Sequence, residues 1–206
     1  MAEAGYSFYT RYTGPVKWRT AGRYQYVQLN GEEFLNTRLG VVQGSYVLPS
    51  DMSMVVAINY GLNTYAQNTD GDISQVLASF SIASPPQKHS WVVAVQAGVD
   101  EAENESNKPN ARSYQGLTLQ SSNLWGQRRS YYFLLGITRT EYDAINNAIY
   151  TKLREDTTVN AAAGWRHSFD SNLSFHNDVS WNNADSTLEA NSYQRLKIEL
   201  GVTYSF

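Results

Sequence analysis

The last twelve residues, Arg195-Leu196-Lys197-Ile198-Glu199-Leu200-Gly201-Val202-Thr203-Tyr204-Ser205-Phe206, decide how the rest of the chain is read. Taken in steps of two, Leu196, Ile198, Leu200, Val202, Tyr204 and Phe206 are all apolar. The interleaved Arg195, Lys197, Glu199, Gly201, Thr203 and Ser205 are polar or glycine. Successive side chains of a strand point to opposite faces, so this segment is a strand with one greasy side and one wet side. It is also as long as the ~9–11 residues that a tilted strand needs to cross a bilayer. Leu200→Arg should then block insertion, and Gly201→Ser should be mild.

The same period recurs upstream. Leu173, Phe175, Val179 and Trp181 alternate with Ser174, His176, Asp178 and Ser180. Val159, Ala161, Ala163, Trp165 and Phe169 oppose Thr158, Asn160, Gly164, Arg166 and Ser168. Greasy rows also run through Tyr131–Ile137, Trp91–Val99 and Met52–Leu62. Weaker strands cover Tyr6–Thr13, Lys17–Leu29, Phe34–Val47, Ser74–Ala83 and Tyr114–Ser121, about eleven in all. Short links (Gly14-Pro15, Leu48–Asp51, Ser84–His89, Leu124–Gln127, Phe169–Asn172) alternate with longer ones near Gln67–Asp72, Asp100–Ala111, Glu141–Thr151 and Asn182–Asn191. Only Asn30–Glu33 is short where a long link is due. Short turns on one side and long loops on the other are the outer-membrane pattern.

The expected fold is therefore all-β, an antiparallel up-and-down transmembrane β-barrel of about 10–12 strands, in one domain over residues 1–206. An odd strand count does not close a bacterial barrel. Tyr6–Thr13 is then an extension, or a twelfth strand hides in Thr140–Leu153, or an upstream strand belongs to a larger N-terminal periplasmic region.

Composition agrees. Only 17% of the residues are charged, against about 25% in average soluble domains, while aromatics make up 13% and tyrosine alone supplies 15 positions. The formal charge of -3 gives no reason to expect nucleic acid. With no cysteine, disulfides and thiolate metal sites are excluded, and neither a metal nor a cofactor is expected. No apolar run approaches the ~20 residues of a membrane-spanning helix. Met1-Ala2-Glu3-Ala4 is not a signal peptide, so export requires that the sequence start on the mature side of a cleavage site, with Met1 added.

The C-terminus resembles the terminal signal of Gram-negative outer-membrane proteins, in which a final Phe follows alternating apolar residues. That resemblance implies that Leu200, Val202, Tyr204 and Phe206 are read by the barrel-assembly machinery and that the protein sits in the outer membrane. Arg154–Trp181 is also similar, loosely, to the barrels that end some periplasmic tetratricopeptide-repeat exporters. That likeness implies a periplasmic partner or an upstream domain.

Two sets of residues follow from parity. Arg19, Arg38, Arg128, Arg154, Arg166, Arg195 and Lys197, with Lys17 and Arg23, fall on or near inward positions, while the inward acids Asp156, Asp178 and Glu199 are fewer. A basic lumen concentrates anions. Trp91, Trp125, Phe169 and Phe206 near the short-turn ends, and Tyr65 and Trp181 near the long-loop ends, are placed as girdles at the two interfaces with lipid and lipopolysaccharide. His167 and His176 lie near Ser168, Ser171 and Asp178, but on opposite faces, so no catalytic set is expected. The leading expectation is an outer-membrane channel or export conduit with a basic lumen for anionic or saccharide solutes. Its rivals are a hydrolase acting on lipid or peptide, and a structural barrel with a filled lumen and partner-binding loops.

Overall fold

A computed structural model describes residues 2–10, 15–29, 32–65, 72–145, 151–169 and 172–204. Eleven strands follow one another: β1 (Ala2–Thr10), β2 (Val16–Leu29), β3 (Glu32–Val47), β4 (Ser53–Tyr65), β5 (Ile73–Ala83), β6 (His89–Ala102), β7 (Arg112–Trp125), β8 (Arg129–Tyr142), β9 (Glu155–Ser168), β10 (Leu173–Ser186) and β11 (Tyr193–Tyr204). They form one sheet in sequence order, every neighbouring pair antiparallel. The expected all-β, up-and-down architecture is what the chain adopts, with a strand number inside the expected range.

Tyr6–Thr10 is no extension, because β1 pairs with β2 along its length, from Ala2↔Tyr26 to Thr10↔Trp18; the rest of Tyr6–Thr13 lies outside the described residues. Among the described residues Thr140–Leu153 holds no further strand beyond the end of β8. Ser205 and Phe206 lie outside the described residues. In an odd meander the first and last strands run the same way. A direct closure of β1 on β11 would therefore be parallel, unlike every pairing in the sheet, and no such pairing is present among the described residues.

Among the described links, those of β3–β4, β5–β6 and β7–β8 are short, and those of β6–β7 and β10–β11, on the other side, are longer. The β3–β4 turn is closed by Asp51 N donating to Leu48 O at 2.9 Å and Leu48 N to Met52 O at 2.8 Å. Asp51 sits there at φ 59°, a left-handed conformation that Asp tolerates better than most residues. On the other side, the β6–β7 loop carries a 3-10 helix at Glu105–Asn110 and the β10–β11 loop another at Glu189–Asn191.

What the sheet lacks is a second layer. Among the described residues each strand packs mainly on its sequence neighbours, and the two 3-10 helices add a little to this. The chain exposes 13991 Å², whereas a globular monomer of this mass exposes about 9,700 Å². Ala111 and Ala184 are the only buried hydrophobic residues among those described. The apolar surface is instead gathered on one face. Cross-strand partners share a face, and one such row reads Val56, Phe80, Val95, Leu117, Ile137, Val159. The next reads Met54, Ile82, Val93, Leu119, Leu135, Ala161, Trp181, Leu196. Large side chains on this face stay open, including Ile58 at 55%, Phe133 at 56% and Leu200 at 65%.

Candidate functional site

The other face is wet, and register fixes its members. Among the described side chains from β2 to β11 it carries eight basic residues, Lys17, Arg19, Arg23, Arg112, Arg154, Arg166, Arg195 and Lys197, against four acids, Asp100, Asp156, Asp178 and Glu199. The charges are not spread evenly. Between them, β3, β4 and β5 present Gln43, Ser45, Ala57, Asn59, Ser79 and Ser81, all small or neutral.

Near the long-loop ends, five consecutive strands are tied together. Asp100 on β6 is 2% exposed and accepts hydrogen bonds from Arg112 Nε at 2.6 Å and Gln75 Nε2 at 3.1 Å. Arg112 stands opposite Tyr142, and the Arg154 guanidinium lies 4.5 Å from the centre of the Tyr142 ring. Arg154 then grips Asp156 through Nε at 3.0 Å and Nη2 at 2.6 Å. A carboxylate this deep needs a paired charge and hydrogen bonds, which Arg112 and Gln75 provide.

Toward the short turns a second polar cluster spans β8 to β11. Tyr132 donates to Asp178 Oδ1 at 2.6 Å, reaching across β9. It can do so because Gly164 lies beneath: a Cβ there would run into the Tyr132 ring and the Asp178 carboxylate. His176 lies in the same way over Gly201. Gly201→Ser, which the sequence marks as mild, would therefore displace the imidazole. Arg166 Nη2 donates to the buried Ser174 Oγ at 3.2 Å, and Lys197 pairs with Glu199 at 2.6 Å. A pocket of about 380 Å³ opens among Ser130, Tyr132, Arg166, His176, Asp178 and Thr203. Ser174, His176 and Asp178 follow one another on this face of β10, but Ser174 serves Arg166 and Asp178 serves Tyr132. His167 stands on the apolar face, stacked on Trp165 at 6.0 Å.

Of the expected basic strip, Arg19, Arg154, Arg166, Arg195 and Lys197 are on the wet face. Arg38 is not: it pairs with Tyr24 and Leu62 on the apolar side. Arg128 belongs to the β7–β8 turn, where it donates to Phe169 O at 2.8 Å. Sequence reading missed Arg112 and Asp100, treating the ends of β6 and β7 as loop. Counting back in twos from Thr118, or forward from Gln96, would have found both.

The aromatics are also partly displaced. Trp91, Trp125 and Phe169 end or adjoin strands at the short turns, 40%, 65% and 51% exposed, and Trp18 joins them at 47%. Trp181 is mid-strand, between Ala161 and Leu196, and not at a long-loop end. Leu200, Val202 and Tyr204 line the apolar side of β11, and Phe206 lies outside the described residues.

No protein-family model and no curated protein matches the chain. Among solved structures it is similar to LpxR from Salmonella typhimurium, at 9% identity and a TM-score of 0.38, over 99% of this chain and 88% of that one. It is also similar to the ferric yersiniabactin uptake receptor FyuA from Yersinia pestis, at 11% identity and a TM-score of 0.45, over 98% of this chain and 40% of that one. At these scores the likeness is too slight to say what the chain does.

Proposed function

We propose that the chain forms the wall of an outer-membrane β-barrel whose basic interior conducts small anionic solutes. One observation carries this reading: a single-layer sheet presents a largely apolar face on one side and, among the described side chains, more cations than acids on the other. Water cannot be the solvent for both faces. Lipid covers the first at no cost, and only strands with every backbone group paired can span it. On the second, three acids are taken by Arg112, Arg154 and Lys197, and the fourth, Asp178, is bound by Tyr132. Arg195 meets no acid among the described residues. A cation such as Arg195 in an interior needs water or an anion, and a basic lumen favours anions in transit. The alternating apolar row Leu200, Val202 and Tyr204 supports recognition of β11 by the barrel-assembly machinery.

A specific observation favours a second reading. The two polar clusters fill the wet face of β6–β11 with paired side chains, as in a structural barrel with a closed lumen. Planar-bilayer recordings of protein purified from membranes separate the two. The conduit reading expects discrete openings, anion-selective reversal potentials, and weaker selectivity in Arg166→Gln/Arg195→Gln. Silence, or cation selectivity, would leave the structural barrel.

A further inference from the structure

We infer that the apolar face carries a specific site for an anionic glycerophospholipid on β8–β10, at its short-turn rim; this rests on the membrane reading above. The site has an apolar part and a polar part in line along β9. Ala161 and Ala163 are the floor of a hollow of about 600 Å³, walled by the much larger Phe133, Leu135, Val179 and Trp181. Small residues flanked by large ones make a furrow, and a furrow in a lipid-facing wall holds an acyl chain better than a flat surface does, by dispersion contacts along its length.

Two and four residues further along the same face of β9 stand Trp165 and His167. Arg129 lies directly opposite His167 in the ladder. Its guanidinium sits 5.7 Å from the centre of the Trp125 ring, which holds it at the rim. Trp165 Nε1 and His167 Nδ1 are covered by their neighbours and have no hydrogen-bond partner. Buried unpaired polar atoms are costly; a phosphate oxygen brought in beside Arg129 takes a charge-assisted hydrogen bond from that guanidinium, and the indole N–H gains a partner once the rings that cover it shift.

The charge around this rim selects the headgroup. The rows Tyr131–Trp165–Asn177–Leu200 and Trp125–Arg129–His167–Phe175–Val202 contain no acid. The opposite rim of the same face is acidic: Arg139 is bound by both Glu141 and Glu155 there, at 3.0 and 3.2 Å. A net-negative headgroup therefore belongs at the Arg129 end, and a zwitterion gains less there.

The test is native mass spectrometry of the detergent-solubilised protein, titrated with phosphatidylglycerol or phosphatidylcholine of equal chain length. Phosphatidylglycerol should be retained in preference. Arg129→Gln should lower its retention about tenfold, the loss of one charge-assisted hydrogen bond, and bring the two lipids together. Ala163→Phe, or the milder Ala161→Leu, should weaken both lipids by filling the furrow. Arg139→Gln, at the other rim, should change neither. Equal retention of the two lipids by the native protein, or retention unaltered by Arg129→Gln and both furrow variants, overturns the site. Should the chain instead stay folded and monomeric without detergent, the membrane reading itself fails, which is a different result.

Discussion

The wet faces of β3–β5 and of β7–β11 differ, although their apolar faces are alike. Behind Val56, Ile58 and Phe80 the first region presents no charge among its described side chains: Gln43, Ala57, Asn59 and Ser79 stand there beside Leu39, Val41, Val55 and Leu77. Behind Leu119, Leu135 and Leu196 the second presents arginines, carboxylates and tyrosines seated on glycines. The difference shows which constraint is uniform. In the proposed barrel one solvent, lipid, meets the whole outer surface and asks for the same chemistry of every strand. The other surface is free to vary, and its charged half is where strands are cross-tied.

The largest effect should come from breaking the face assignment itself. Leu134 and Leu135 are adjacent on β8, the first wet and the second lipid-facing. Leu135→Arg should cost ~2–4 kcal/mol, as arginine does near the bilayer midplane, and sharply reduce the folded, heat-modifiable form recovered from membranes. Leu134→Arg should leave that yield close to native. Equal loss in both would mean that the faces are not distinct.

A smaller effect lies within the charged inner region, between two of its glycines. Gly164→Ala forces apart the Tyr132–Asp178 contact and should cost about 1–3 kcal/mol, typical of overpacking. Gly136→Ala, whose added carbon would meet nothing nearer than 3.7 Å, should shift the urea midpoint of unfolding in detergent hardly at all. Next comes Asp100→Asn. It removes the carboxylate that Arg112 and Gln75 share, and since Arg112 is 41% exposed the cost should be about 1 kcal/mol. In the neutral region Ser79→Asn should be silent in the same unfolding assay.

The strands were legible because the apolar face is written residue by residue with period two. The weakest part of that signal is where the reading slipped. In β3, Leu39 and Val41 are wet-side while Val42 is lipid-side, so apolar residues occur on both faces and Arg38 was assigned to the wrong one. Arg128 was misplaced because a turn has no parity. The girdle was legible at the short turns, where Trp91 and Trp125 sit beside turn residues, and not at Trp181, whose distance from a strand end depends on how far β10 continues. The site itself was largely hidden. That Tyr132 reaches Asp178 over Gly164, or that Arg112 meets Asp100, depends on the register of three strands and two, and no single segment of sequence contains a register.

Because the chain has no cysteine, the division into a lipid face and a water face can be read directly from single-cysteine variants. Four consecutive positions of β7 suffice: Leu117→Cys, Thr118→Cys, Leu119→Cys and Gln120→Cys, each labelled in isolated membranes with a charged, membrane-impermeant maleimide. Thr118 and Gln120 face the wet side, and Leu117 and Leu119 the apolar side. The account expects labelling at 118 and 120 and protection at 117 and 119. Uniform labelling of all four, uniform protection, or the inverse alternation would contradict it.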